Sequence, residues 1–223
     1  MKYAALLALF TVTQEMAREL KPVCDNMDKV KSYHFVIKVI QDEKEKAFVE
    51  GEYFFSGAMH ARMEKIEIAK AGDKRYIKKD GEWKNAPSRP NPGKAAQREE
   101  DLSRPHEWAR RIVGHCPEVK REKSTKIGAV PVDIYVHSLR LEAARKSFEG
   151  GGMPVIGSVI DWSKTKNGVL FYVGRDDLLY RVDQRLDGNG DKKVDRELII
   201  EFSEFNVAKC RLPDDLKEKL GIK

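Results

Sequence analysis

Residues 32–63 read SYHFVIKVIQDEKEKAFVEGEYFFSGAMHARM, and this stretch indicates the fold. Its first part, 33–40, is rich in β-branched and aromatic residues, which favour strands. In 44–55, apolar side chains alternate with charged ones, as on a strand with one buried face. One face of this strand carries Val49, Gly51, Tyr53 and Phe55. The alternation recurs in 59–63, so the stretch predicts three consecutive strands joined by short turns.

Similar strand patterns recur along the rest of the chain. They lie at residues 64–70, 75–78, 119–126, 130–138, 168–174, 178–186 and 194–205. Turn signals such as Asp80-Gly81 separate them. Strands that follow one another through brief turns predict an antiparallel meander and not βαβ units.

Helical patterns are fewer than strand patterns. Residues 101–115, with Ser103 as N-cap, and 139–148 are predicted to be short helices, and 213–219 a closing helical turn. A sheet of about eight strands usually curls. The sequence therefore predicts an α+β fold: a strongly curved antiparallel β half-barrel, covered on one face by an N-terminal helix and short inserted helices.

The N-terminus supports two interpretations. Residues 1–12 place Lys2 before an apolar run, which is typical of a short signal peptide, although no clean small-residue cleavage site follows. They can also begin an amphipathic helix, which Pro22 would dent. Its stripe would consist of Leu6, Leu9, Thr13, Met16, Leu20, Val23, Met27 and Val30. The remainder, 13–223, is predicted to be a single domain with a proline-rich loop at 85–104.

Composition excludes several classes of protein. Hydrophobic residues make up 41% of the 223 residues, enough for a packed core. No apolar run approaches the ~20 residues that span a bilayer, which excludes a polytopic membrane protein. Cys24, Cys116 and Cys210 form no CxxC pair, so a zinc ribbon is excluded and buried free thiols are expected. One long-range disulfide stays open if the protein is exported.

The order of these segments resembles the LolA/LppX-like (outer-membrane lipoprotein-sorting protein-like) lipoprotein carrier family. The resemblance covers nearly the whole chain and rests on residues 28–35 after the helix, 51–55 with 59–63, 73–77 with 81–83, 179–182, 200–206, and Leu212-Pro213. It implies an incomplete β-barrel with helices plugging its mouth. Between sheet and helices the family has an apolar cavity for the acyl chains of lipids or lipoproteins. It also implies a periplasmic or cell-envelope location.

For such a carrier, the cavity wall would bind the cargo. Each buried methylene contributes about 0.8 kcal/mol, so an acyl chain of a dozen carbons contributes roughly 10 kcal/mol before costs. The candidate lipid-binding residues are Val49, Tyr53, Phe55, Met59, Met63, Ile68, Phe171, Tyr180, Ile200 and Phe202. The alternative is that these residues form an ordinary packed core. The protein would then be a structural or interaction protein of the same fold.

The sequence offers little for metal, cofactor or catalytic chemistry. Residues 187–191 begin like a calcium loop, but Lys192 stands where glycine is needed and Leu198 where a bidentate Glu is needed. We interpret the segment as an acidic hairpin turn, with calcium sensitivity as part of the alternative function. No HExxH, GxSxG or P-loop motif occurs, so the sequence predicts no enzyme, no cofactor and no metal site.

Charge points to a limited set of partners. The chain has 42 Lys and Arg against 36 Asp and Glu, and both signs are interspersed, which is typical of a solvated surface. The basic residues between 85 and 126 also suit an anionic membrane surface or an acidic partner protein. No nucleic-acid recognition motif is present.

Overall fold

The computed structural model describes residues 17–54, 57–63, 66–86, 104–114, 116–138, 166–187, 190–191 and 193–221. Strands dominate these ranges. They are β1 (Ser32–Gln41), β2 (Lys44–Phe54), β3 (Ala58–Met63), β4 (Ile66–Ala71), β5 (Lys74–Lys79), β6 (Glu82–Asn85), β7 (Lys120–Ile127), β8 (Val130–Ser138), β9 (Lys166–Gly174), β10 (Leu179–Asp187) and β11 (Arg196–Ser203). All eleven belong to one antiparallel sheet.

The sheet consists of two meanders joined edge to edge. Its spatial order is β6-β5-β4-β3-β2-β1-β11-β10-β9-β8-β7. Strand β1 pairs with β11 over eight residue pairs, from His34 opposite Ser203 to Gln41 opposite Arg196. Strands β6 and β7 are the two edges of the described sheet, which curves without closing. The predicted α+β half-barrel is confirmed.

The first meander contains one strand more than the sequence predicts. Asp80 and Gly81 have φ angles of 55° and 87°, as a tight two-residue hairpin turn requires. The chain therefore reverses after β5, and Trp83 on β6 pairs with Lys78. Strand β6 has four residues, which are too few for an alternating pattern to be recognised. Only the turn before this strand was therefore predicted.

The N-terminal helix is shorter than the sequence predicts. Helix α1 spans Lys21–Met27, and the residues from 17 to 20 form a turn. Pro22 lies in the first turn of the helix, because proline fits that position and not a helix interior. The predicted stripe is still buried where the structure describes it, at Leu20, Val23, Met27 and Val30. Residues 1–12, with the leader or helix predicted there, lie outside the described residues.

Helix α2 spans Pro105–Gly114 and confirms the first predicted insert. Pro105 occupies its first position, where a proline is well tolerated. The predicted N-cap Ser103, the helix at 139–148 and most of the loop at 85–104 lie outside the described residues.

The C-terminal helix packs on the opposite face of the sheet from α1 and α2. Helix α3 spans Asp214–Leu220. Its Leu216 and Leu220 form a second small core with Ala69 and with part of Trp83. Ala69 alternates with Ile68, which belongs to the main core. The N-terminal helix and the described inserted helix therefore share one face of the sheet, as predicted, and the closing helix α3 lies on the other.

We name the face of the sheet that carries α3 the outer face. A series of connected ion pairs lies on it. His60 lies between Glu52 and Glu67, with its ring nitrogens 2.9 Å and 3.2 Å from their carboxylate oxygens. Carboxylates only accept hydrogen bonds, so a ring with both nitrogens protonated satisfies both contacts. Burial alone raises the pKa of Glu67, but hydrogen bonds from Lys78 and His60 outweigh it and lower that pKa. Arg211 contacts Glu52 at 3.2 Å and ties the C-terminal segment to the sheet.

Candidate functional site

The other face of the sheet, which we name the concave face, is apolar across most of the strands. Alternation places Phe35 and Ile37 of β1 on this face. Phe35 is paired with Phe202 on one side, and Ile37 is paired with Ile200. The same two residues are paired with Gly51 and Val49 on the other side. Continuous rows of apolar side chains therefore run across the centre of the sheet.

Helices α1 and α2 pack against one half of the concave face. From the two helices, and from Cys116 two residues beyond the end of α2, the core receives Val23, Cys24, Met27, Trp108, Ala109, Ile112, Val113 and Cys116. From the sheet beneath, it receives Phe171, Val182, Leu198, Ile200 and Phe202, which are all almost fully buried. This half, formed by β1 and β9–β11, is a filled protein core.

The other half of the concave face is only partly covered. Tyr53, Met63 and Ile77 are half-buried and pack against the edge of the core. Ile66, which is paired with Met63, is 41% exposed. We name this half, from β2 to β5, the open flank. An apolar surface that is half exposed is a candidate binding surface.

An aromatic cluster marks the border between the two halves. The Tyr33 hydroxyl lies 2.6 Å from Nδ1 of His106 on α2, and the Tyr33 and Tyr53 rings stack at 5.1 Å. The backbone N–H of His106 donates to the same hydroxyl at 3.4 Å, so the hydroxyl can donate to Nδ1 of a neutral ring. Burial lowers the pKa of His106 and raises that of Tyr33. Both groups are therefore uncharged near neutral pH, and they fix the start of α2 over the sheet.

Comparison with known proteins identifies this architecture. Lipoprotein LppX of Mycobacterium tuberculosis superposes with a TM-score of 0.56 at 11% identity, over 86% of this chain and 95% of its own. LprF of Mycobacterium bovis superposes with a TM-score of 0.55 at 12% identity, over 87% of this chain and 94% of its own. The chain has a LolA/LppX-like fold. A LolA superfamily protein from Nitrosomonas europaea covers 91% of this chain and 97% of its own at 10% identity, with a TM-score of 0.33. No protein-family model and no curated protein matches the sequence.

The predicted lipid-binding residues occupy different parts of this LolA/LppX-like fold. Three of them lie in the filled half, namely Phe171, Ile200 and Phe202. Five lie on the open flank, and these are Val49, Tyr53, Met59, Met63 and Ile68. Phe55 lies outside the described residues. The flank members differ in burial. Val49, Met59 and Ile68 are buried, whereas Tyr53 and Met63 are half-buried and are the ones that an incoming ligand could reach with least rearrangement.

Tyr180 is displaced from the row that alternation predicts. The register between β9 and β10 shifts at residues 179–181, so Leu179 joins the core in its place. The Tyr180 hydroxyl donates to Asp176 at 2.9 Å, and its ring packs edge-on against Phe205 at 5.1 Å. This tyrosine lies at the end of the sheet. A bulge changes which side chains share a face, and alternation alone cannot detect it.

Sequence reasoning missed two residues of the border cluster. Tyr33 lies two residues before Phe35 on the same strand, so alternation could have placed both on the apolar face. His106 carried no such signal, because its partner is 73 residues away in the sequence.

The predicted acidic turn shows no metal-binding geometry in its described part. Asp187 accepts a hydrogen bond from the Gly190 N–H at 2.6 Å, and Asp191 accepts one from the Lys193 N–H at 2.9 Å. These carboxylates stabilise their own turn. Across the described ranges, no group of three or more His, Cys, Asp or Glu side chains could hold a metal ion.

The three cysteines are free thiols. Cys24 and Cys116 are buried and Cys210 is half-buried. Burial raises the pKa of Cys24 to about 11 and that of Cys116 to about 12, so both thiols are protonated and unreactive at neutral pH.

The described helices are short. None of them has the length and apolar character needed to cross a membrane.

Proposed function

We propose that this protein is a non-enzymatic carrier that binds the acyl chain of a lipid or lipoprotein on its open flank. The proposal places it in the periplasm or cell envelope after export, as a single domain over residues 13–223. The flank carries the proposal, because it is the part of the concave face where apolar side chains are not fully covered. The LolA/LppX-like fold supports the same choice.

The flank suits an acyl chain in chemistry, because its side chains are apolar. Met63, Ile66, Ile68 and Ile77 lie on neighbouring strands and face the same side. Burial of a dozen methylenes against such a surface contributes roughly 10 kcal/mol before the costs of binding. Methionine side chains adapt to chains of different shape, which suits a carrier.

A lipid-extraction experiment tests the proposal. The full chain, purified under mild conditions, is extracted into organic solvent and analysed by mass spectrometry. We expect an acyl lipid in stoichiometric amount, and displaceable binding of a fluorescent fatty acid. The absence of both results would refute the carrier function.

A matched pair of variants locates the binding surface. Ile66→Glu adds a charge to the open flank, whereas Val194→Glu adds the same charge outside the sheet at a residue of similar exposure, 43% against 41%. We expect Ile66→Glu to weaken fatty-acid binding at least tenfold and Val194→Glu to leave it unchanged. Equal effects of the two substitutions would argue against the flank.

The tight packing of the other half favours a second candidate function. Phe171, Ile200 and Phe202 are almost fully buried against α1 and α2, as in a protein with a filled core. Such a protein would act through its surface as a structural or interaction protein, and calcium sensitivity of the 187–191 turn belongs to this alternative. It predicts no bound lipid and no effect of Ile66→Glu on partner binding.

The edge strand β7 supports a proposal about where the protein docks. Lys120, Lys123 and Lys126 are exposed on this strand. They would favour contact with an anionic membrane surface or an acidic partner protein. Arg121 is also exposed but is paired with Asp133 at 2.7 Å, so it would contribute less.

A further inference from the structure

Three polar side chains, Ser203, His34 and Glu50, are connected on the outer face of the sheet. Ser203 of β11 is paired with His34 of β1. Glu50 of β2 is paired with Val36, two residues further along β1, so its side chain projects from the same face as His34. Ser203 is exposed to solvent, whereas most of the His34 side chain is covered. A small molecule can therefore reach the serine end of the series.

Two hydrogen bonds connect the three side chains. Nε2 of His34 lies 3.0 Å from a carboxylate oxygen of Glu50, and Nδ1 of His34 lies 3.3 Å from the Ser203 hydroxyl. A carboxylate only accepts hydrogen bonds, so Nε2 carries the proton that is donated to Glu50. In the neutral ring, Nδ1 then has a free lone pair and accepts the proton of the Ser203 hydroxyl. A hydroxyl, a base and a carboxylate in this order can activate a serine as a nucleophile.

The neighbouring charges leave Glu50 to orient the His34 ring. Glu52 is directly opposite His34 on β2, but it is engaged by His60 at 2.9 Å and by Arg211 at 3.2 Å. Arg211 also approaches Glu50, at 3.8 Å, and so helps to hold this carboxylate beside the ring. The contacts of Glu50 are therefore those of a group that fixes the tautomer and the orientation of a histidine base.

We propose that Ser203 is a nucleophilic serine that takes an acyl group from an activated ester, with His34 as its base and Glu50 as a positioning residue. Oγ of Ser203 forms a bond to the carbonyl carbon of the ester while its proton moves to Nδ1 of His34. The bond from that carbon to the leaving oxygen then breaks, and His34 gives its proton to this oxygen or to water. The acyl group stays on Ser203. The site is on the opposite face from the open flank, so this covalent modification is separate from the carrier function.

Acetylation of the full chain by p-nitrophenyl acetate tests the proposal. Peptide mass mapping over time gives the rate at which each side chain is acetylated. Ser124 is the matched control, because it is also exposed on a strand but donates its hydroxyl proton to Asp133 at 2.6 Å and not to a histidine. We expect Ser203 to be acetylated at least tenfold faster than Ser124. Equal rates at the two serines, or no acetyl group on Ser203, would overturn the proposal.

Variants test the role of each partner of Ser203. His34→Gln removes the base and should slow acetylation of Ser203 about a hundredfold. His137→Gln, on the concave face of β8, removes another half-buried histidine and should leave the rate unchanged. Glu50→Gln should slow the reaction about tenfold, and Glu50→Asp, which keeps the carboxylate, should recover most of the loss. A wild-type rate in His34→Gln would overturn the proposal, and equal rates in the two Glu50 variants would overturn the positioning role.

Discussion

A methyl group added at Gly51 is expected to cost about 3 kcal/mol of folding stability. Gly51 of β2 is paired with Phe35 of β1 and with Ala61 of β3. A Cβ atom at this position would lie 2.2 Å from the His60 carbonyl oxygen, 2.9 Å from Ala61 Cα and 2.9 Å from Phe35 Cζ. Two of these three atoms are backbone, so β3 would have to move by about 1 Å in a close-packed region. Overpacking of this kind costs 1–3 kcal/mol or more, and a backbone clash belongs at the upper end.

Urea unfolding followed by tryptophan fluorescence measures this cost. With a slope of about 2–3 kcal/mol per molar, a loss of about 3 kcal/mol lowers the midpoint of Gly51→Ala by about 1–1.5 M. The matched control is Gly168→Ala on β9, where a Cβ would meet only the His137 carbonyl oxygen, at 3.9 Å. That change should be neutral or stabilise by up to about 1 kcal/mol. Equal midpoints for the two variants would refute the account of Gly51 as a position of close strand approach.

Three further predictions concern other parts of the fold. Burial lowers the pKa of His106 below the ordinary 6.5, so the unfolded chain takes up this proton first and stability falls as pH drops through that value. Thermal unfolding from pH 7.5 to 5 should therefore lose fewer degrees in His106→Asn than in wild type, and parallel curves would contradict this. The fully buried Asp183 accepts hydrogen bonds from Tyr172 at 2.9 Å and from Arg181, so Asp183→Asn should destabilise by about 3 kcal/mol in urea unfolding. A change under 1 kcal/mol would show that this ion pair contributes little. Leu216→Ala should release α3, because it removes a buried anchor of the small core, and hydrogen exchange should then accelerate in residues 214–220 alone. Acceleration throughout the sheet would show that the two cores unfold together.

The strands could be predicted because their burial is one-sided. In β2 the pattern Val49, Gly51, Tyr53 against Glu50, Glu52 repeats every two residues, and the structure has the same faces. The start of helix α1 was harder to predict than the strands, because the apolar spacing continues through Pro22 and does not show where the helix begins. The conformational preference of the single residue Pro22 determines where the helix starts. A periodicity averaged over many residues does not show the effect of one residue.

The candidate site was less predictable than the fold. Whether Ile200 or Met63 meets a helix or stays half open depends on where α2 packs, and that position depends on contacts such as Tyr33 with His106. Which side chains of the flank are neighbours also depends on register, since Ile68 and Ile77 are paired only through the turn at Gly72-Asp73. Such relations between elements are absent from local sequence patterns.

The pairing of β1 with β11 has a consequence for how the chain folds. His34 and Ser203 are 169 residues apart, so β11, the last of the described strands along the chain, completes the centre of the sheet. Contacts between distant residues form slowly, because a long loop must close first. Until β11 arrives, the hydrogen-bonding edge of β1 is unpaired, and it bears the apolar sequence VIKVI at 36–40. A nascent or truncated chain that ends before residue 196 would present this edge to other molecules and is expected to aggregate unless a chaperone shields it.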